Sequence, residues 1–161
     1  MQLEESIFTL SNKGKIKVSE FAHERMNKFK QEKPDLDEAG GVLLGRFIVD
    51  SKNIIIDDVT IPMIGDQRRR CFFFRSAKSH QKIIDSKWFK TNGTCNYLGE
   101  WHTHPENYPE PSNTDLQNWR KRMKEDKFTS RYLYFIIVGI KEFYIWEGDR
   151  RTLKFKKLEK I

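Results

Sequence analysis

Apolar positions along the 161-residue chain recur with two periods, and the switches between them predict the element order. "KIKVS" (15–19) alternates like a short strand and ends at Ser19, a residue suited to cap a helix. A helix is expected from there to about Lys30, with Ala22, Met26 and Phe29 on one face. "PDLDEAGG" (34–41) is turn-rich. "GVLLGRFIV" (41–49) and "IIIDDVTI" (54–61) then read as strands around the polar turn "DSKN". "CFFFR" (71–75) reads as a third strand, followed by a helix over 77–90 with Ala77, Ile84 and Trp88 on one stripe. "CNYLGEWHTH" (95–104) is the next strand. Three prolines in "PENYPEP" (105–111) remove backbone donors and fix φ, so regular structure is excluded there. A helix starts near Ser112 and runs to about Lys124. "RYLYFIIVGI", "EFYIWE" and "RTLKFKKL" close the chain as strands, antiparallel because their connections are short. Steady βαβ alternation is missing. The expected class is α+β, a curved mixed sheet with helices packed against it, in one domain spanning residues 1–161.

Composition supports a packed core. Apolar residues make up 37% of the chain and aromatic residues 13%. The longest apolar run, "YLYFIIVGI" (132–140), is strand-sized and far short of the ~20 residues of a membrane helix. The start "MQLEESIFTL" has neither the basic residues nor the apolar block of a secretion signal, so a soluble, cytoplasmic protein is expected. Cys71 and Cys95 are too few for a disulfide framework and are expected to be buried, reduced thiols. The net charge is +7, concentrated in "RRR" (68–70), "RKRMKEDKFTSR" (120–131) and "RRTLKFKK" (150–157). Those runs suit solvated faces or a surface for an acidic protein. Without a nucleic-acid-binding motif beside them, nucleic acid is not the expected partner.

The candidate chemistry lies in "GEWHTHPENYPEPSNTD". On an extended strand His102 and His104 point to the same side, with Thr103 facing away. The proline loop returns the chain so that Asp115, in the first turn of the next helix, can add a carboxylate. Two histidines and one carboxylate leave one position of a tetrahedral zinc open, which is the pattern of a catalytic site. "SNTD" (112–115) also fits an ordinary helix cap. A hydrolytic site needs a base, for which Glu38, just before "AGGVLLGR", is the candidate; Glu100 and Glu106 compete by proximity. Glu100, on the face of His102, could equally be a buried polar partner.

The segment "HTHPENYPEPSNTD" resembles the H-x-H-x(7)-S-x(2)-D signature of the JAB1/MPN/Mov34 (JAMM) metalloenzymes at His102, His104, Ser112 and Asp115. "EAGGVLLG" (38–45) is similar to the family's upstream glutamate before a glycine-rich strand, and the likeness covers roughly residues 14–147. The resemblance implies an MPN-type domain and a zinc-dependent isopeptidase or peptidase. His102, His104 and Asp115 would bind Zn2+ with water in the fourth position, Glu38 would be general base and then acid, and Ser112 would stabilise the oxyanion. In size and in its "EAGG" context the chain is similar to bacterial JAB-domain deconjugating proteases of CBASS anti-phage operons. That implies a protein substrate with an extended C-terminal tail, ubiquitin-like or a cGAS-like nucleotidyltransferase, and an E1/E2-type operon partner. The alternatives are a hydrolase maturing a sulfur-carrier protein and a non-catalytic binding module. "RFIVD" (46–50) and the proline loop 105–111 are expected to flank the metal on either side of a substrate groove.

Overall fold

The computed structural model describes residues 6–161. Its frame is a mixed sheet. The strands are β1 (Ser6–Thr9), β2 (Lys15–Val18), β3 (Gly40–Phe47), β4 (Ile54–Val59), β7 (Asn96–Thr103), β8 (Tyr132–Val138), β9 (Phe143–Asp149), β10 (Lys154–Lys157) and β11 (Glu159–Lys160). Their spatial order is β10-β9-β8-β7-β3-β4-β2-β1-β11. The pairs β7–β8 and β2–β4 are parallel, and the other neighbours are antiparallel. The two outermost strands are consecutive in sequence, separated only by Leu158. The last residues therefore tie one edge of the sheet to the other, and the sheet must curl strongly for them to do so. Leu158 is buried, and its N–H donates to Ile145 O at 2.9 Å.

Helices cover both faces. β8 shows why: Tyr134, Ile136 and Val138 join one apolar cluster while Leu133, Phe135 and Ile137 join another. The first cluster takes Ala22 and Met26 of α1 (Glu20–Asn27), which Ser19 caps by accepting from Ala22 N–H. The second takes Trp119 and Met123 of α3 (Asn113–Glu125). A third, smaller cluster places Ile83 and Ile84 of α2 (Ala77–Lys90) on Val42 and Leu44. The α+β expectation holds.

"CFFFR" contains a strand as expected, β6 (Phe72–Phe74), which pairs with β5 (Gln67–Arg69) in a two-stranded hairpin separate from the main sheet. Three expectations need correction. Cys71 lies in that hairpin's turn and is exposed; only Cys95 is buried. Trp88 is 54% exposed, because α2 turns Ile83, Ile84 and His80 inward instead. His80 is fully buried because its Nδ1 lies 2.6 Å from Thr60 Oγ1 and its Nε2 lies 2.9 Å from Asp66 Oδ2. Lastly, "RFIVD" begins with Arg46 and Phe47, the last two residues of β3, whereas Gly40 at the opposite end pairs with His102. Six residues of strand, about 20 Å, separate it from the histidines, so it cannot flank them.

Candidate metal centre

The site forms where β7 ends. The β3–β7 ladder pairs Gly40 with His102 and continues past the strand through two bonds. Thr103 N–H donates to Ala39 O at 2.9 Å, and Ala39 N–H donates to Thr103 Oγ1 at 3.0 Å. This register sets Glu38 across from His104, and the period of two turns Glu38, His102 and His104 to the same face. Thr103 faces the other way, where its hydroxyl donates to Gln31 Oε1 at 2.9 Å. Gly40, between Glu38 and the hairpin, has no room for a side chain: a Cβ would come within 2.6 Å of both the Phe73 ring and Trp101 O.

Asp115 arrives from α3. Ser112 Oγ accepts from Asp115 N–H at 3.1 Å, and Asp115 Oδ2 accepts from Ser112 N–H at 2.9 Å, a reciprocal cap that orients the carboxylate. Its oxygens lie 3.3 Å from His102 Nε2 and 3.0 Å from His104 Nε2, and the two Nε2 atoms are 3.0 Å apart. Donors arranged tetrahedrally around zinc at about 2.0–2.1 Å lie roughly 3.3 Å from one another. The three residues fit a single ion. They are mostly buried, and Trp119, one turn after Asp115, places its ring 6.4 Å from that of His102.

Glu38 Oε1 lies 3.8 Å from His104 Nε2, and Glu38 is 5% exposed. Burial is the main reason its carboxyl is pushed up to about 7; the two histidines pull the other way. Burial would raise the Asp115 carboxyl too, but His102, His104 and the Ser112 N–H outweigh it and hold it well below the usual carboxylate range. For His104 burial favours the neutral ring, yet Asp115, Glu38 and Glu106 together raise its basicity.

The other two acids go elsewhere. Glu100 Oε1 pairs with Arg75 Nε at 3.2 Å and sits 3.9 Å from Arg122 Nε, so two arginines occupy it as a polar partner in the fold. Glu106 meets His104 from the far side, at Nδ1. The sequence reading missed what holds Glu38: its N–H donates to Arg69 O at 2.7 Å, and Arg68 Nε donates to its carbonyl at 2.9 Å. "QRRRCFFF" (67–74) is a basic run followed by an aromatic run with no alternation, and its strands of three residues are too short to read as a hairpin.

A sheet strand presents two histidines to a carboxylate at a helix start, with a buried glutamate beside them, and His102, His104 and Asp115 could hold a metal ion. The family described as prokaryotic homologs of the JAB domain matches residues 22–152, and the chain belongs to that family. It is 37% identical to a CD-NTase/cGAS isopeptidase of Vibrio cholerae over 123 residues, which cover 76% of this chain and 75% of that one. A protein of the same name from Escherichia coli is 32% identical and covers 84% of this chain and 82% of its own. Among solved structures, the solution structure of a Desulfitobacterium hafniense protein covers 87% of both chains with a TM-score of 0.55 at 20% identity, a likeness of fold.

Proposed function

We propose that this chain is a zinc-dependent isopeptidase that hydrolyses the amide joining the C-terminus of a CD-NTase/cGAS-like nucleotidyltransferase to its target in CBASS anti-phage defence. The observation that carries the reading is the convergence of His102, His104 and Asp115, with Glu38 beside them, in a chain 37% identical to a protein named for that activity. His102, His104 and Asp115 would hold the ion. Zinc, when bound, supplies Lewis acidity and lowers the pKa of a coordinated water to about 7.

The chain's own groups do the rest. Glu38 faces the metal side of His104 and accepts the proton of the attacking water through its carboxylate. It then returns that proton to the departing amine. Its buried, raised carboxyl suits a group that both takes and gives a proton near neutral pH. Ser112 Oγ accepts the Asp115 N–H, which leaves its own proton to donate to the oxygen of the scissile carbonyl as that oxygen gains charge. Losing such a donor lowers the rate on the order of 10²–10³-fold. The proline loop, pinned at Glu106 and Asn107 to the turn after β8, walls one side of the approach. We read residues 1–161 as one catalytic domain, cytoplasmic, working beside an E1/E2-type conjugating partner. Among the described residues no helix is long and apolar enough to cross a membrane.

The test incubates the chain with a nucleotidyltransferase joined through its C-terminus to a lysine amine, with and without chelator, and weighs the products. The expected result is one cut that regenerates the intact C-terminus and is abolished by chelator. Cleavage confined to a sulfur-carrier precursor would replace this reading with a maturation hydrolase. No cut in any tail by zinc-loaded protein would leave a binding module.

A further inference from the structure

The described metal ligands are His102, His104 and Asp115; the loop after β7 adds a residue that touches one of them from behind. His104 turns Nε2 toward His102 and Asp115, while its Nδ1 meets Glu106 Oε1 at 2.7 Å. A ring can bind a cation through Nε2 only if that nitrogen carries the lone pair, so the proton must sit on Nδ1. A carboxylate 2.7 Å from Nδ1 selects that tautomer and fixes the ring plane.

Glu106 is held in place by its backbone. Its carbonyl accepts from Ile140 N–H at 2.7 Å, and Asn107 O accepts from Lys141 and Glu142 N–H, each at 3.2 Å. Gly139 lies so close to this loop that a Cβ would come within 2.6 Å of Pro109 Cδ and 2.7 Å of Glu106 O. His104 is tied to the same strand end, its N–H donating to Val138 O at 3.0 Å. Ligand and carboxylate are thus both referenced to the end of β8, and their relative position survives motion elsewhere in the loop.

We infer that Glu106 is a positioning residue for the metal centre: through Nδ1 it holds the His104 ring in the tautomer and orientation that bind the ion. The inference rests on the zinc reading above, although its readouts need no substrate. Partners of this kind are worth 10–100-fold in metal affinity. The Glu106 side chain is 48% exposed, so water competes and the lower figure is expected.

The experiment compares the wild-type chain with Glu106→Ala and Glu106→Gln. Zinc affinity is measured by competition with a chromophoric chelator. The His104 tautomer in metal-free protein is read from its ring ¹⁵N shifts at alkaline pH. Glu106→Ala should weaken zinc binding about tenfold and shift the metal-free tautomer balance from Nδ1–H toward Nε2–H, the form that Asp115 Oδ2, 3.0 Å from Nε2, favours. Glu106→Gln, whose carbonyl can accept the same bond, should restore most of the affinity and the wild-type tautomer balance. Wild-type affinity in Glu106→Ala would overturn the inference. So would a loss of affinity with the wild-type tautomer retained, because a nearby negative charge would then account for it. A chain that shows the expected zinc and tautomer changes yet cleaves no conjugate would overturn the proposed function and leave this inference standing.

Discussion

Replacing Glu38 by Gln should make the metal-free protein more stable while removing its activity. In the fold the carboxyl is pushed from 4.5 to about 7, mainly by burial. A tenfold change in an ionisation constant is worth about 1.4 kcal/mol, so ionising Glu38 inside the fold costs about 3 kcal/mol more than ionising it in the unfolded chain. The unfolded chain releases this proton near 4.5 and the folded chain near 7, so the folded state binds more protons between those values. The contribution of Glu38 to stability must therefore fall as pH rises through that window, with the full penalty present above 7. An amide cannot ionise, so Glu38→Gln escapes the penalty. Urea unfolding of chelator-treated wild type and variant at pH 4.5 and pH 8 measures it. The variant's advantage should grow by about 3 kcal/mol between the two conditions, equivalent to roughly 6–12 °C in Tm for a chain of this size. Any packing difference between Glu and Gln is the same at both pH values and drops out of the comparison. An advantage that does not change with pH would refute the claim that burial holds this carboxyl near neutrality. Near-normal turnover in the zinc-loaded variant would refute its role as base.

Further expectations follow from particular contacts. Ser112→Ala should lose about 1 kcal/mol of stability with the helix cap and on the order of 10²-fold in kcat; stability loss with unchanged kcat would reduce Ser112 to a cap. Gly40→Ala forces a Cβ against Trp101 O and the Phe73 ring, and should destabilise the fold by about 1–3 kcal/mol, read by thermal unfolding; a neutral outcome would mean that β3 shifts freely at this point. Leu158→Ala should cost about 2–5 kcal/mol, because the residue is buried where β10 passes into β11; a loss under 1 kcal/mol would show that joining the two sheet edges contributes little.

The helices and the long strands were legible because each has an unmistakable period. Ser112 and Asp115 could be assigned to the start of α3 from their spacing alone. The parallel pairing of β7 with β8 was not legible, since period two is the same in either direction. The β5–β6 hairpin escaped notice because three-residue strands carry too little pattern, and with it went the two arginines that hold Glu38. Alternation put Glu100 on the same face as His102, as the structure has it, but it cannot say that Arg75 and Arg122 reach across from α2's approach and from α3 to claim it. Trp88 fits a helical stripe in sequence yet lies half in solvent, because the neighbouring Ile83 and Ile84 already cover that part of the sheet. Placing "RFIVD" beside the histidines failed because Glu38 already put the start of this strand at the site, and the length of β3 (Gly40–Phe47) carries Arg46 and Phe47 to its far end.

The central claim is that β7 and α3 build one zinc centre. Anomalous diffraction at the zinc edge from crystals of the zinc-loaded protein tests it most directly. The account predicts a single peak about 2.0–2.1 Å from His102 Nε2, His104 Nε2 and a carboxylate oxygen of Asp115, absent from the His102→Ala, His104→Ala double variant. A peak at other residues, or one that survives the double substitution, would contradict it.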